Sequence, residues 1–478
     1  MICVRRLFRG VFFFSLFSLN ILAILIPMQG GDLLDSGEFG AQILRGLGFR
    51  SQKIETYSTI SRLRNDSIIN PQGININPTK THFRRSEYYT PGWADTRWNY
   101  RKNITIDFNK VGSDLTDFPV LIDIYDHDLQ NEAQTSGNDI LFTDSFGYIL
   151  DHEIEQYSRI YNSTHSHLVA WVKTNLSSTQ DTIISMYYGN PTVSSQENPE
   201  RVWDNNYVGV WHLSESNGNA KDSTSYKAAG TPYSSVSQGV QGSIASASDF
   251  AGVANYNNRI DMENQEHLDF NDLDDFSIEF WLYLDSYGAN DYQFFVIKRE
   301  ETYFGSGYGI GLNCTSGTIG LGGSDAADTF EVHGGTSIVE DAWYHVVAVW
   351  DQSSASSTTI YLNGFEDKDF TVGTISNVNS LSNSQPFKLG HYFMDGYHYP
   401  LNGMIDEIRV SNSVRSSAWV NTSYTNQHDP NGFYTISSKE TYGSNDWKLN
   451  SFQYKRNITI DATKVFQDLT DFPVLIDL

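Results

Sequence analysis

The pattern of apolar and polar residues predicts β-strands along most of the chain. In the segment 103–107, Ile104 and Ile106 alternate with polar residues, which is the two-residue period of a strand with one buried face. The segments 277–284 and 344–350 are apolar at nearly every position, so both faces of these strands are expected to be buried. Such strands are typical of a two-sheet sandwich that has further cover on one side.

Turn and helix signals interrupt this pattern. Asn363-Gly364 follows the strand-like segment 358–362 and is a strong signal for a short hairpin. The segment 416–427 has a helical pattern, with Ser416 or Ser417 as its N-cap. The body of the chain is therefore predicted to be all-β, with one short helix near its end.

The chain opens with a basic and then an apolar segment. Three arginines among the first nine residues precede an apolar run over residues 11–27, which predicts an N-terminal apolar helix. We interpret residues 1–28 as a signal peptide or as an uncleaved N-terminal anchor, because about 20 apolar residues span a bilayer. A buried core helix is the structural alternative. Residues 29–92 lack sustained periodicity and are predicted to be a linker.

An internal repeat lies near the two ends of the exported part. The segment 100–107 recurs at 454–461 and the segment 114–123 recurs at 468–477, both offset by 354 residues. Residues 447–478 are therefore predicted to begin a truncated second copy of the module that starts near residue 93. We expect the sequence to be a fragment of a longer, repetitive polypeptide.

Composition and charge exclude several classes of protein. At 478 residues, the chain is long enough for two to four domains. Hydrophobic residues make up 39% and aromatic residues 14%, which excludes a disordered chain and a multi-span membrane protein. The 57 acidic residues outnumber 32 basic residues, for a net charge of −25, so nucleic acid is not expected as a partner.

Residues 206–415 resemble the laminin-G-like, concanavalin A-like jelly-roll family. Five segments match the family's strands in the family's order: 210–213, 275–281, 343–346, 360–364 and 401–410. The last of these contains the sequence Gly-Met-Ile-Asp-Glu-Ile-Arg, similar to the family's closing strand. The resemblance implies a curved antiparallel β-sandwich.

Residues 93–203 resemble a prokaryotic surface-protein domain of unknown function, number 2341 in its series. Six segments carry the match: 98–101, 117–120, 139–142, 151–155, 170–172 and 187–190. Such domains often precede a laminin-G-like jelly roll. Residues 416–441 resemble the short helix and connecting tail that usually follow it. The fold predicted for the whole is an antiparallel β-sandwich module followed by a concanavalin A-like jelly roll.

The sequence contains no recognisable catalytic motif, so we predict that the chain is not an enzyme. Glu153 and Glu155 share one face of a predicted strand, as a carboxylate pair of a glycoside hydrolase would. Acids in such positions more often form ordinary hydrogen bonds or salt bridges. Asp406 and Glu407 are adjacent, which predicts that their side chains lie on opposite faces.

The jelly-roll resemblance implies one structural Ca²⁺ ion. It points to Asp406 as a side-chain ligand and to Asp222, in the opening loop, as a second candidate. Calcium takes six to eight oxygen ligands, many of them from loops. The alternative is that Asp406 caps a turn or pairs with an arginine. No other cofactor is expected.

Aromatic residues in loops are the candidates for ligand binding, because aromatic rings stack on the apolar faces of sugars. Tyr392, Tyr397, His398 and Tyr399 lie in a predicted loop over residues 391–400. Tyr303 and Tyr308 lie in a second, glycine-rich segment. Packing at the edge of the core is the alternative role for these side chains.

These features predict an extracellular or cell-surface protein for recognition or adhesion. The expected partner is a glycan or a surface protein, bound through the loops of the jelly roll. Contact with a membrane is expected only through the N-terminal segment or through sequence further downstream. A glycan-active hydrolase and a structural spacer of a surface stalk are the two alternatives.

Overall fold

The computed structural model describes Trp93 and residues 97–442, except residues 264 and 289, together with the backbone of three short strands nearer the N-terminus. The chain divides into two compact units, Met1–Gly92 and Trp93–Leu478. In the first unit, an antiparallel sheet has the strand order β1-β2-β3, formed by β1 (Ile68–Ile69), β2 (Ile74–Ile76) and β3 (Arg84–Arg85). These strands lie within the predicted linker. The predicted N-terminal helix and the second copy of the repeat lie outside the described residues.

The second unit begins with a module of two antiparallel sheets, which we call the first module. Its elements in chain order are β4 (Tyr100–Ile106), a 3-10 helix (Phe108–Lys110), β5 (Leu115–Asp126), α1 (His127–Glu132), β6 (Leu141–Asp144), β7 (His152–Ser158), β8 (Ser166–Leu176), β9 (Thr182–Tyr188) and α2 (Pro199–Val202). One sheet contains the neighbours β4, β9 and β6, and the other has the order β5-β8-β7. Ile104 and Ile106 are buried, as their alternation predicts.

The jelly roll follows as a larger sandwich. Its elements in chain order are β10 (Tyr207–Trp211), β11 (Gly230–Pro232), β12 (Val236–Gln241), β13 (Ser246–Ala251), β14 (Ile260–Met262), a 3-10 helix (Glu266–Leu268), β15 (Phe276–Leu284), β16 (Tyr292–Arg299), β17 (Gly307–Asn313), β18 (Thr318–Ser324), β19 (Thr329–Gly334), β20 (Trp343–Trp350), β21 (Thr359–Leu362), β22 (Phe365–Glu366), β23 (Lys368–Gly373), a 3-10 helix (Ile375–Asn377), β24 (Phe387–Leu389), β25 (His391–Met394), β26 (Tyr397–Pro400) and β27 (Asn402–Ser411).

Two eight-stranded sheets enclose the core of the jelly roll. The module-facing sheet has the order β12-β13-β27-β15-β20-β21-β22, with β10 also paired to β27. The outer sheet has the order β11-β14-β24-β16-β17-β18-β19-β23, and β25 and β26 form a separate hairpin. Strands dominate and the pairings within both sheets are antiparallel, so the predicted all-β sandwich is confirmed.

After the jelly roll, the chain returns to the first module. We call residues 416–442 the returning segment; its elements are α3 (Ser417–His428), α4 (Pro430–Phe433), β28 (Tyr434–Ile436) and β29 (Glu440–Thr441). Both strands pair with β4, and Tyr434 lies opposite Ile106. The returning segment is therefore part of the first module, and the jelly roll is inserted between β9 and β28. Within the described ranges, no helix is both long and apolar enough to cross a bilayer.

The predicted burial of both faces of β15 has a direct explanation. Ile278, Phe280 and Leu282 point into the core between the two sheets. Trp281 points the other way and joins the core of the first module, where its Nε1 donates to Gln427 Oε1 of α3 at 2.7 Å. The first module and α3 are thus the cover that the apolar pattern requires.

The turn and cap signals are confirmed. Asn363 and Gly364 connect β21 to β22 and have φ angles of 50° and 81°, as a hairpin turn with two left-handed residues requires. Ser416 is the N-cap of α3, because its side chain accepts a hydrogen bond from the backbone N of Trp419.

Candidate functional site

The outer sheet has a patch without side chains at its centre. Gly309 and Gly311 on β17 pair with Gly322 and Gly320 on β18. Alternate residues of both strands, such as Ile310, are buried in the core. These four residues, which we call the glycine floor, therefore face outward from the sandwich.

Steric contacts with neighbouring residues do not explain why glycine stands at all four positions of the floor. All four glycines have extended backbone that a residue with a side chain could adopt. A Cβ atom at Gly309 would overlap the side chain of Ile297, whereas a Cβ at Gly320 or Gly322 would meet its nearest neighbour at 3.3 or 3.5 Å. Residue 322 thus has room for a side chain, whereas His333 would have to shift slightly for one at 320, and a Cβ at Gly311 would meet the backbone O of Gln293 at 2.7 Å. The absence of a side chain at 322 leaves open space above the sheet.

Aromatic side chains line one side of the glycine floor. Tyr292 and Phe294 belong to β16, next to β17. Tyr399 of the β25–β26 hairpin joins them, with its ring centroid 6.1 Å from that of Phe294 and 6.5 Å from that of Tyr292. Because Tyr292 is 42% exposed, this wall offers aromatic surface to a ligand.

Polar and aromatic side chains line the opposite side. His333 on β19 stacks on Phe370 of β23, with ring centroids 4.5 Å apart, and its Nε2 lies 3.0 Å from Glu331 Oε2. The hydrogen bond with His333 lowers the pKa of Glu331, against the effect of burial. Glu331 is therefore a carboxylate at neutral pH. At one end, Arg299 Nε donates to the backbone O of Gly305 at 2.9 Å.

The space between these walls is a shallow groove. Its volume is about 90 Å³, compared with roughly 300–1,000 Å³ for pockets that enclose a small molecule. The groove suits a flat ring or an extended chain that lies along the sheet. Its residues are Tyr292, Phe294, Ile297, Arg299, Gly309, Gly311, Asn313, Gly320, Leu321, Gly322, Glu331 and His333.

The residues proposed from sequence for ligand binding fall into different environments. Tyr303 and Tyr397 are 62% and 65% exposed. Tyr399 forms part of the aromatic wall of the groove. His398 is half-buried, and its Nδ1 lies 2.9 Å from the Nε2 of His391. Tyr397, His398 and Tyr399 belong to β26 of the β25–β26 hairpin, and Tyr303 lies in the loop between β16 and β17, as predicted.

Two of the proposed ligand-binding residues are packing residues. Tyr308 is fully buried on β17, and its hydroxyl donates to the backbone O of Leu268 at 2.9 Å. Tyr392 is also buried, and its hydroxyl donates to the backbone O of Glu300 at 2.6 Å. The glycine-rich segment is a strand, so Tyr308 points into the core while the glycines point outward. This corrects the prediction that Tyr308 and Tyr392 face a ligand.

The groove residues that the sequence prediction missed lie on regular strands. Tyr292, Phe294 and His333 occur in regular strands, where the sequence does not distinguish an outward-facing aromatic side chain from other strand residues. One signal was available: in the segments 307–312 and 319–322, glycine alternates with larger apolar residues. A strand with one glycine face has that pattern.

A second group of polar side chains is buried between the first module and the module-facing sheet. We call Glu153, Glu155, His212, Glu407 and Arg409 the interface cluster. His212 Nδ1 lies 2.7 Å from Glu407 Oε1 and 3.6 Å from Glu155 Oε2, and its Nε2 lies 3.3 Å from Glu153 Oε2. One imidazole ring therefore contacts carboxylates of both domains.

A β-bulge places Glu407 in this cluster. The pairing of β15 with β27 shifts register between Glu279 and Trp281, and Glu407 has a φ of 54°. Ile405 and Ile408 both point into the core, so the two acids between them share the module-facing side. The prediction that Asp406 and Glu407 lie on opposite faces is wrong because the bulge adds one residue to the strand.

Arg409 connects the cluster to the rest of the interface. Its Nη2 donates to Glu407 Oε2 at 2.6 Å and its Nη1 donates to Glu279 Oε1 at 3.2 Å. Its guanidinium carbon lies 4.2 Å from the ring centroid of Trp171 in the first module. Burial alone would raise the pKa of Glu279, but Arg409 and His345 lower it, so Glu279 stays ionised.

The pKa values of the acids in the cluster shift in opposite directions. Burial opposes a charge on His212, but the carboxylates of Glu407, Glu153 and Glu155 raise its pKa well above the usual value. Burial and the charge of Glu407 raise the pKa of Glu155 well above its usual value. Glu153 is different, because His212 lowers its pKa against the effect of burial.

The pair Glu153 and Glu155 does not line a substrate cleft. The side chain of Glu155 is 1% exposed. Glu153 accepts hydrogen bonds from Trp203 Nε1 at 3.1 Å and from Ser223 Oγ at 2.6 Å. Both carboxylates therefore hold the two domains together at a site that a polysaccharide cannot reach.

The residues proposed for calcium do not fit one shared ion. Asp222 Oδ1 accepts from the backbone N of Val210 and of Thr224, and its Oδ2 accepts from Thr224 Oγ1 and from the backbone N of Ala228, at 2.8–3.1 Å. These four donors occupy the acceptor positions of the carboxylate. Asp222 therefore organises its loop.

Asp406 has a different role from Asp222. Its Oδ2 accepts from the backbone N of Ile244 at 2.9 Å, in the turn closed by the hydrogen bond from Gly242 N to Ala245 O. This contact matches the alternative that Asp406 caps a turn. Its other oxygen has no hydrogen-bond partner among the described residues. One free oxygen is far short of the six to eight that calcium takes.

Two family models match parts of the chain. Residues 255–421 match the concanavalin A-like lectin/glucanases superfamily, in its laminin-G-type model. Residues 136–227 match a domain of unknown function, DUF2341. The first match covers most of the jelly roll and runs into α3, and the second covers the later part of the first module and runs into the start of the jelly roll. A search of curated proteins finds no match.

Solved structures that match part of the chain include two toxin domains. One is the binding domain of Paraclostridial Mosquitocidal Protein 1, at 17% identity and a TM-score of 0.37, covering 46% of this chain and 52% of that chain. Another is the binding domain of botulinum neurotoxin serotype G, at 16% identity and a TM-score of 0.37, covering 46% of this chain and 50% of that chain. The chain thus spans about half the length of these structures. Its jelly roll has the concanavalin A-like fold that the sequence resemblance implies.

Proposed function

We propose that this chain is an exported carbohydrate-binding protein and that a glycan binds in the groove above the glycine floor. The observation that carries the proposal is the pairing of a floor without side chains with an exposed aromatic wall. A sugar ring has an apolar face that stacks on Tyr292 or Phe294, while the floor lets the ring approach the sheet closely.

The polar residues of the groove suit sugar hydroxyls. Glu331 provides a carboxylate acceptor, Asn313 an amide and Arg299 a guanidinium, all within the lining of the groove. Because the groove is open and shallow, an extended glycan chain fits it better than a small metabolite does. A folded protein partner would need a larger apolar surface than this groove offers.

The groove favours binding over hydrolysis. Retaining and inverting glycoside hydrolases use two carboxyl groups on opposite sides of the scissile bond. Of the described residues that line the groove, Glu331 alone carries a carboxyl group. Glu153 and Glu155 belong to the buried interface cluster and face a different sheet.

The location of the protein is proposed on sequence grounds. A basic and apolar N-terminal segment favours export, with attachment to the cell surface as one outcome. The sequence repeat is consistent with several linked binding sites. Several linked sites bind a surface more tightly than one does, so each site can be weak. Adhesion to a glycan-coated surface follows from these two features together.

A glycan array probed with the fluorescently labelled full chain tests the proposal. Gly322→Val fills the floor with a residue that suits a strand, and Phe294→Ala removes the aromatic wall. We expect both variants to reduce binding at least tenfold. Tyr148→Ala is the matched control, because Tyr148 is an exposed tyrosine of the first module.

The full chain is necessary because the jelly roll shares a buried interface with the first module. The proposal is wrong if the wild type binds no glycan. It is also wrong if Gly322→Val and Phe294→Ala bind as the wild type does, since the ligand would then lie elsewhere.

A further inference from the structure

Three metal-ligating side chains converge at the interface between the two domains. Single ligand atoms of Glu155, His212 and Glu407 all lie within 4.8 Å of one another. We propose that these three residues bind one divalent transition-metal ion of the zinc class. The proposal is independent of the glycan-binding groove on the outer sheet.

Charge balance gives the first argument. The carboxyl groups of Glu153, Glu155 and Glu407 surround one imidazole, and Arg409 is the cation that contacts Glu407. Buried acids that outnumber their cations are strongly unfavourable unless protons or a metal ion neutralise them. With a neutral His212 as ligand, the three carboxylates and Arg409 leave two negative charges, which a divalent cation between Glu155 and Glu407 balances.

Unpartnered oxygen atoms give a second and independent argument. Glu155 Oε1 is buried and has no hydrogen-bond donor among the described residues. The same is true of Oδ1 of Asp406, which precedes Glu407 in the chain. Buried side-chain oxygens in proteins nearly always have a partner, and a metal ion bound by these residues would supply one to Glu155 Oε1.

Neighbouring side chains hold the three residues in place, as side chains around metal ligands commonly do. Trp171 Nε1 donates to Glu155 Oε2 at 3.0 Å, and Arg409 Nη2 donates to Glu407 Oε2 at 2.6 Å. Glu153 Oε2 lies 3.3 Å from His212 Nε2, which is an ion-pair contact without hydrogen-bond geometry. Metal ligands are commonly oriented by such outer hydrogen bonds, and a histidine whose far nitrogen faces a carboxylate directs its other nitrogen toward the ion.

The donor set selects the class of ion. An imidazole with two carboxylates suits zinc and neighbouring transition metals, whereas calcium takes oxygen ligands in larger number. Since all three side chains are buried, the ion has a structural role and is bound as the domains close on each other.

Metal analysis of the full chain tests the site directly. The protein is purified without chelator, and its content of Zn, Mn, Fe, Ni and Cu is measured by mass spectrometry. A second sample is unfolded in chelator and refolded with or without ZnCl₂. We expect about one equivalent of metal per chain and a higher melting temperature after refolding with zinc.

Variants and spectroscopy separate this site from adventitious binding. Glu155→Gln should reduce the metal content at least fivefold. Asp123→Asn should retain it, because Asp123 is a carboxylate paired with a histidine, His167, at 2.7 Å in the same module. If Glu155→Gln does not fold, X-ray absorption of the zinc-loaded wild type should show one imidazole, oxygen ligands and no sulfur.

Three results would overturn the proposal. The first is a wild type that contains no stoichiometric metal and takes up none on refolding with zinc; protons on the acids would then neutralise the cluster. The second is a folded Glu155→Gln variant with undiminished metal content. The third is an absorption spectrum without a histidine ligand.

Discussion

Strand β5 lies at the edge of its sheet, and the returning segment satisfies its outward backbone groups. Asn426 accepts from the backbone N of Leu121 at 2.7 Å and donates to its O at 3.0 Å. The hydroxyl of Tyr434 makes the equivalent pair with Asp123, at 2.9 and 3.1 Å. Two side chains thus replace a neighbouring strand and protect an edge that could otherwise pair with another chain.

Asn426→Leu removes one of these pairs while nearly preserving the volume of the side chain. The backbone N and O of Leu121 would remain buried without partners. Leaving a buried polar group unsatisfied costs about 1–3 kcal/mol. For the two groups together, we expect the free energy of unfolding to fall by about 2–6 kcal/mol.

Chemical denaturation followed by tryptophan fluorescence measures this change, and hydrogen exchange at the Leu121 amide locates it. Asn421→Leu is the matched control, because Asn421 lies on the same helix and is only half-buried. We expect the control to change stability by less than about 0.5 kcal/mol. An Asn426→Leu variant as stable as the control, with the Leu121 amide still protected, would refute the assigned role of the returning segment.

Three further predictions follow from buried polar groups. Replacing Arg409 with Met leaves Glu279 and Glu407 without their guanidinium partner, and thermal and chemical unfolding should show a loss of about 3–5 kcal/mol. Burial and the nearby charges lower the pKa of His391 to about 3. The unfolded chain therefore binds a proton between pH 6.5 and 3 that the folded chain does not. The contribution of His391 is complete above pH 6.5 and declines below it by up to about 1.4 kcal/mol per pH unit, so His391→Gln should flatten the pH dependence of stability in that window. Tyr308→Phe should lower stability by about 1 kcal/mol and leave glycan binding unchanged in the array assay.

The alternation of apolar residues predicted the sandwich because strand burial is a local property of sequence. The double apolar faces of β15 and β20 also predicted a further layer, and the first module with α3 provides it. The sequence could not identify that layer, since the contact of Trp281 with Gln427 joins residues that lie 146 positions apart. Long-range partners of this kind leave no periodic signal in either segment.

The errors in the site predictions have two physical origins. Glycine is common in loops, so the glycine-rich sequence predicts a loop around Tyr308, although its even positions 308, 310 and 312 are apolar. The second origin is the bulge at Glu407, which moves two consecutive acids to one face. A bulge depends on the pairing of strands and inverts every face assignment that is counted across it.

The first copy of the sequence repeat begins in β4, the strand to which the chain returns after the inserted jelly roll. Thr441 pairs with Tyr100, so the last strand of the described unit lies beside its first strand. Tyr100 is also where the repeat begins, and its counterpart is Tyr454. The recurring segments 100–107 and 114–123 thus correspond to β4 and β5, the first two strands of a unit that closes on itself. On the proposed function, the avidity for a repetitive glycan rises with the number of linked units that carry a groove.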